Sequence, residues 1–106
     1  MGMTTDELSK MSEWELTSRA RRCLRGVYSG EFWSPIHKAG DAIALAQNVC
    51  KRCNLDWCLI EHVEDGGVLA VINHPDDSKP LEYSHKDPSP CRALTIAAIV
   101  AAESLK

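Results

Sequence analysis

Cys50, Cys53, Cys58 and His62 stand in the pattern C-x2-C-x4-C-x3-H. Three thiolates and one imidazole at that compactness are a ligand set for tetrahedral zinc. Two features of the same run weigh against a metal. Cys50 and Cys53 fall on the apolar face of an expected helix, where a free cysteine serves as a small hydrophobe. No glycine occurs from Val49 to Val63 to make the tight turns of a zinc knuckle. A thioredoxin-like role for the CxxC is weaker still. That chemistry needs the positive N-terminal end of a helix to lower a thiol pKa, whereas this pair sits at the C-terminal end, where the dipole raises it. The expectation is core thiols, no metal and no cofactor.

The four histidines, His37, His62, His74 and His85, fall in loops or strands without a motif that would fix a nucleophile beside them. No GxSxG, HExxH, GxxxxGK[ST] or GxGxxG occurs. The chain is therefore expected not to be an enzyme, with no catalytic residues assigned.

Aromatic residues are the better candidates for function. Tyr28, Phe32 and Trp33 lie close together in a segment whose Gly30 and Ser34-Pro35 rule out regular structure. Aromatics placed there act either as lids over the core or as anchors for a partner, and both readings stand. Trp14 joins them, because on a helical wheel it faces away from the stripe of Leu16, Ala20 and Cys23. Either the segment around Leu8 folds over it, the favoured reading, or a partner or second subunit covers it. Trp14, Tyr28, Phe32 and Trp33 are thus the candidate partner-binding residues.

Arg19, Arg21, Arg22 and Arg25 form a basic cluster on the side of the same helix opposite Leu16, Ala20 and Cys23. Such a cluster belongs to a solvated face before it belongs to phosphates. The order helix, three antiparallel strands, helix also occurs in double-stranded RNA-binding domains, which contact phosphates through basic residues. Here the corresponding helix start offers a single arginine, Arg92. The net charge of −3 is likewise the wrong sign for a chain that lives on nucleic acid.

These residues are carried by 106 positions, room for a single domain. At 44% apolar content the chain can offset its conformational entropy without staples. Five cysteines, an odd number, read as reduced thiols. No apolar leader is visible in the charged first thirty residues, and the apolar run from Ile96 to Ala102 is far short of the roughly 20 residues that span a bilayer. The expected compartment is cytoplasmic, with no membrane association.

Residues 1–10 are expected to be a flexible segment and 11–106 a single α+β domain. Ser12 and Glu15 form a capping box, with Met11 stapled to Leu16. Leu16, Ala20, Cys23, Leu24 and Val27 then recur at helical spacing, up to a stop at Gly26. A second helix is expected over Ala39 to Cys53, burying Ala42, Ile43, Ala46, Val49, Cys50 and Cys53 and ending at Asn54. Trp57–Glu64, the turn Asp65-Gly66-Gly67 and Val68–Asn73 read as a hairpin, followed by a third strand through Leu81, Tyr83 and His85. With no crossover helix between them, the strands are expected to be antiparallel. Ser89 caps and Pro90 opens a last helix, apolar nearly all round and so buried on most sides. The expected order is α-α-β-β-β-α, an α/β sandwich.

Three segments of this pattern are similar to the small phage and prophage proteins of the phage ABA-sandwich type, and within them to the NinX-like family. They are Met11-Ser-Glu-Trp-Glu-Leu16, then Phe32-Trp-Ser-Pro35 through Gly40-Asp-Ala-Ile43, and Asp87-Pro-Ser-Pro-Cys-Arg-Ala-Leu94. The stretch from Cys50 to Cys58 lies outside the resemblance. The resemblance implies an α/β sandwich and a phage accessory protein in a bacterial host cytoplasm; it implies no activity and assigns no functional residue. With the absence of catalytic motifs, it leads to the expectation of a non-catalytic protein that binds a host or defence component. A nucleic-acid-associated factor using the arginines, or a small-ligand-binding protein, is the alternative. A homodimer is compatible with either.

Overall fold

The computed structural model describes residues 4–24, 30, 33–62, 67–73 and 82–104, with the side chains of residues 61, 62 and 82 outside that description. In chain order these form α1 (Thr5–Ser9), α2 (Glu13–Cys23), α3 (Ala39–Cys53), β1 (Asp56–His62), β2 (Gly67–Asn73), β3 (Glu82–Asp87) and α4 (Pro90–Ser104). The strands make one antiparallel sheet in the order β1-β2-β3. The α+β class and the order of elements are as expected, with α1 added at the front.

Helix α4 is the centre of the fold because its sequence leaves it no polar face. Every residue from Ala93 to Ala102 is buried. The helix packs on β2 and β3 on one side and on α1, α2 and α3 on the others. Thr95, the one polar residue in that stretch, is satisfied locally: its hydroxyl donates to the Cys91 carbonyl at 2.7 Å and reaches the Pro35 carbonyl at 3.3 Å. Ser89 caps the helix as expected, its Oγ accepting from the Arg92 N–H at 3.3 Å.

Strand alternation sorts the sheet into two faces. The register Trp57↔Ile72↔Tyr83 and Leu59↔Ala70↔His85 places those residues on the helix-covered side. Ala70 and Ile72 there are fully buried, and Trp57 and Tyr83 pack against the core. Cys58, Ile60, Leu69, Val71 and Ser84 take the other face.

Three expectations need correction. Residues 4–10 do not stand outside the domain: Thr4 and Glu7 form a capping box at the start of α1, and Leu8 is fully buried in the core. The buried stripe of α3 is Ala42, Leu45, Ala46, Val49 and Cys50. Leu45 occupies the place expected for Ile43, which stays 36% exposed. Finally, α2 ends at Cys23, with Leu24 extended as its C-cap. The expected continuation through Val27 falls outside the described residues. Asn54 does end α3, in the left-handed conformation at φ 58° that asparagine tolerates better than most residues.

Candidate partner-binding surface

Trp14 is held in place by the start of its own helix. Ser12 caps α2, its Oγ accepting from the Glu15 N–H at 3.2 Å. Leu16, Ala20 and Cys23 are then driven into the core, which aims Trp14 the other way. Its side chain is 78% exposed, so no described residue supplies the favoured intramolecular cover: Leu8 enters the core instead of lying over the indole. Shallow grooves flank it on both sides. One runs along Met11, Glu15, Ser18, Arg19 and Arg22, the other along Thr17, Ser18 and Arg21.

Of the expected solvated row, Arg21 and Arg22 are exposed and Arg19 is not. Arg19 is half-buried and forms an ion pair with Glu103 of α4, which ties α2 to the central helix. Arg21 leans over Trp33, its guanidinium carbon 5.9 Å from the ring centroid, and donates to the Gly30 carbonyl at 3.3 Å. The distance suits a cation–π contact. Arg25 lies outside the described residues. The net result is an exposed indole on a rigid helix with two of its neighbouring cations already engaged within the chain.

Trp33 is half-buried and packs against the core. Its segment is fixed by the Trp33 N–H donating to the Gly30 carbonyl at 3.1 Å and by the Asp41 carboxylate accepting from the Ser34 N–H at 2.9 Å. Trp33 thus serves the core and Arg21 together. Tyr28 and Phe32 lie outside the described residues. Trp14 projects from the fold and Trp33 packs against it, and Arg21 lies beside both.

The cysteines differ in exposure. Cys50 is buried, Cys53 half-buried at the end of α3, and Cys58 exposed on β1. Burial pushes the Cys50 thiol up from 9.0 to about 11, with the Asp56 carboxylate and Cys53 adding to the effect. Such a thiol is a poor ligand and a poor nucleophile at neutral pH. Among the described residues no group of three His, Cys, Asp or Glu side chains gathers to hold a metal ion.

One polar cluster was not legible in the sequence. His85 and Asp87 share a face of β3, with Nε2 of the first 3.4 Å from Oδ2 of the second. Arg92 Nε lies 3.2 Å from the same oxygen, and the other carboxylate oxygen accepts from the Ser89 N–H at 3.0 Å. Arg92 also donates to the carbonyls of Ser9 at 2.7 Å and Met11 at 3.3 Å. A histidine beside an aspartate suggests acid–base chemistry, but here the carboxylate is neutralised by an arginine and spent on capping a helix. The cluster ties the end of β3, the start of α4 and the α1–α2 junction together.

Among the described residues, a half-open apolar notch lined by Ala39, Ala42, Ile43, Leu59, Pro90, Cys91 and Leu94 holds about 60 Å³. Ligand-binding cavities run to roughly 300–1,000 Å³, so the notch has room for one aliphatic side chain and not for a metabolite. No described helix is long and apolar enough to cross a membrane. No family model, curated protein or solved structure matches the chain.

Proposed function

We propose that this chain is a non-catalytic binding protein, a phage accessory factor that engages a host or defence protein in the bacterial cytoplasm through the α2 face centred on Trp14. The single observation that carries the reading is the 78% exposure of Trp14 on a helix whose opposite side is locked into the core. A large rigid aromatic, flanked by grooves and by polar side chains, is the composition of an interface hot spot. The phage and host assignments rest on the sequence resemblance alone. The non-catalytic assignment is supported by an absence of catalytic motifs and by the spending of the His85–Asp87 pair on a structural tie.

The nucleic-acid alternative draws on the same indole, because tryptophan beside arginines can stack on bases. The engagement of Arg19 with Glu103 and of Arg21 with Trp33 leaves that reading with less charge to work with. Affinity capture from host lysate with the parent chain and with Trp14→Ala tests the proposal. A protein retained by the parent and lost with the variant supports it. Retention by both moves the interface elsewhere. Capture of nucleic acid, with an affinity that falls steeply as salt rises, would replace the proposal with the alternative.

A further inference from the structure

Strands β1 and β3 are the two edges of the sheet, and they are not alike. The β3 edge carries Lys86, the kind of charge that keeps an edge from pairing with another chain. The β1 edge reads Asp56-Trp-Cys-Leu-Ile-Glu-His62. It contains no proline or lysine, and no charge from Trp57 through Ile60. Leu59 is 40% and Ile60 46% exposed. Consecutive strand residues point to opposite faces, so these two aliphatics lie on opposite sides of the sheet. A partner resting on either face covers one of them, whereas a strand added at the edge covers both. Ile43, also exposed, lines the apolar notch beside Leu59.

We propose that a second copy of this chain pairs with β1, antiparallel, about a two-fold axis normal to the sheet at Leu59. The two three-stranded sheets then join as one of six strands, with the helices of both copies on the same side. Two arguments select a second copy as the occupant. The first is charge complementarity. With the axis at Leu59, Asp56 of each copy comes opposite His62 of the other, an acid against a base, at both ends of the pairing. The second is register. The same axis places Leu59 opposite Leu59, Cys58 opposite Ile60 and Trp57 opposite Glu61, and it pairs all 7 residues of the strand. Moving the axis to Ile60 leaves Asp56 and Trp57 unpaired, and moving it to Cys58 leaves Glu61 and His62 unpaired. Cross-strand neighbours of matched character stabilise a pairing. One strand per copy is a small interface, so the dimer is a reversible one.

Sedimentation equilibrium under reducing conditions, from micromolar to millimolar protein, tests this. The parent should rise towards twice the monomer mass as concentration increases. Leu59→Lys and Ile60→Lys should each stay monomeric while keeping the parent's far-UV circular dichroism, because both positions are exposed in the monomer. A second measurement stands independent of how well those variants fold. Directly opposed residues of an antiparallel pair sit about 4.5–5.5 Å apart at Cα, within disulfide reach. Leu59→Cys combined with Cys58→Ser should therefore oxidise to a covalent dimer linked 59 to 59, as mapped by peptide mass spectrometry. A parent that remains monomeric throughout, a dimer that survives both lysine variants, or a cross-link that maps elsewhere would each overturn the proposal. So would a dimer abolished by Trp14→Ala, which would assign the contact to α2.

Discussion

Arg92 reaches Asp87 Oδ2 with its Nε at 3.2 Å while both side chains are more than four-fifths shielded from solvent. The pair closes a short sequence distance, but the same guanidinium also holds the carbonyls of Ser9 and Met11, more than eighty residues away. Arg92→Met keeps the aliphatic length and removes every one of these bonds. The variant leaves a shielded carboxylate without its cation, a loss of about 3 kcal/mol. Thermal or urea unfolding of the variant should show that loss, and Asp87→Asn should lose less, because the amide oxygen still accepts from the Ser89 N–H. Equal stability of Arg92→Met and parent would mean that the tie contributes nothing.

Cys50 predicts an alkaline weakness. Its thiol ionises from about pH 9 in the unfolded chain but only at about 11 in the folded one. Between those values the unfolded state binds fewer protons than the folded state, so stability falls as pH rises. The group contributes its full share below pH 9, and the loss is complete above about 11, on the order of 3 kcal/mol in all. Cys50→Ala should be less stable than the parent at neutral pH and should decline more shallowly above pH 9. Parallel declines would show that another group sets the alkaline limit.

Trp14 and Leu8 should behave as opposites. Trp14→Ala removes a side chain that is mostly in water, so its unfolding free energy should stay within about 0.5 kcal/mol of the parent. Leu8→Ala empties a fully buried site and should cost about 2–4 kcal/mol. Chemical unfolding of both variants checks the pair. A strongly destabilised Trp14→Ala would show that the indole is covered in solution.

Gly40 lies in the first turn of α3, and a Cβ built there meets nothing within 4 Å. Gly40→Ala therefore adds no clash while restricting the unfolded chain, and should raise stability by about 0.5–1 kcal/mol. A rise in melting temperature without change in oligomeric mass is the expected reading.

The sequence by itself determined the elements and their order wherever local rules act without competition. The Ser12 N-cap, the left-handed stop at Asn54, the Ser89-Pro90 helix start and the apolar body of α4 each depend on a few neighbouring residues, and each stands in the structure, although at Ser12 only the serine half of the expected capping box forms. Helix α1 was missed because at 5 residues it shows too little periodicity to read, and Leu8 looks like any single leucine until its burial is known. Ile43 and Leu45 could not be told apart for a similar reason. They sit two positions apart on a helix whose apolar residues are crowded, and only the assembled core, which takes in Leu45 and leaves Ile43 exposed, chose between them.

The fate of charged and aromatic side chains was decided only by tertiary structure. Arg19 was assigned to a solvated face, yet the end of α4 brings Glu103 to it across 84 positions of sequence. Trp14 was expected to be covered by the segment before it, but the core claimed Leu8 and left the indole in water. His85, Asp87 and Arg92 meet because β3 delivers two of them on one face and α4 turns the third back over the strand. Long-range neighbours of this kind carry no signature in composition or spacing, since what joins them is the path of the chain between.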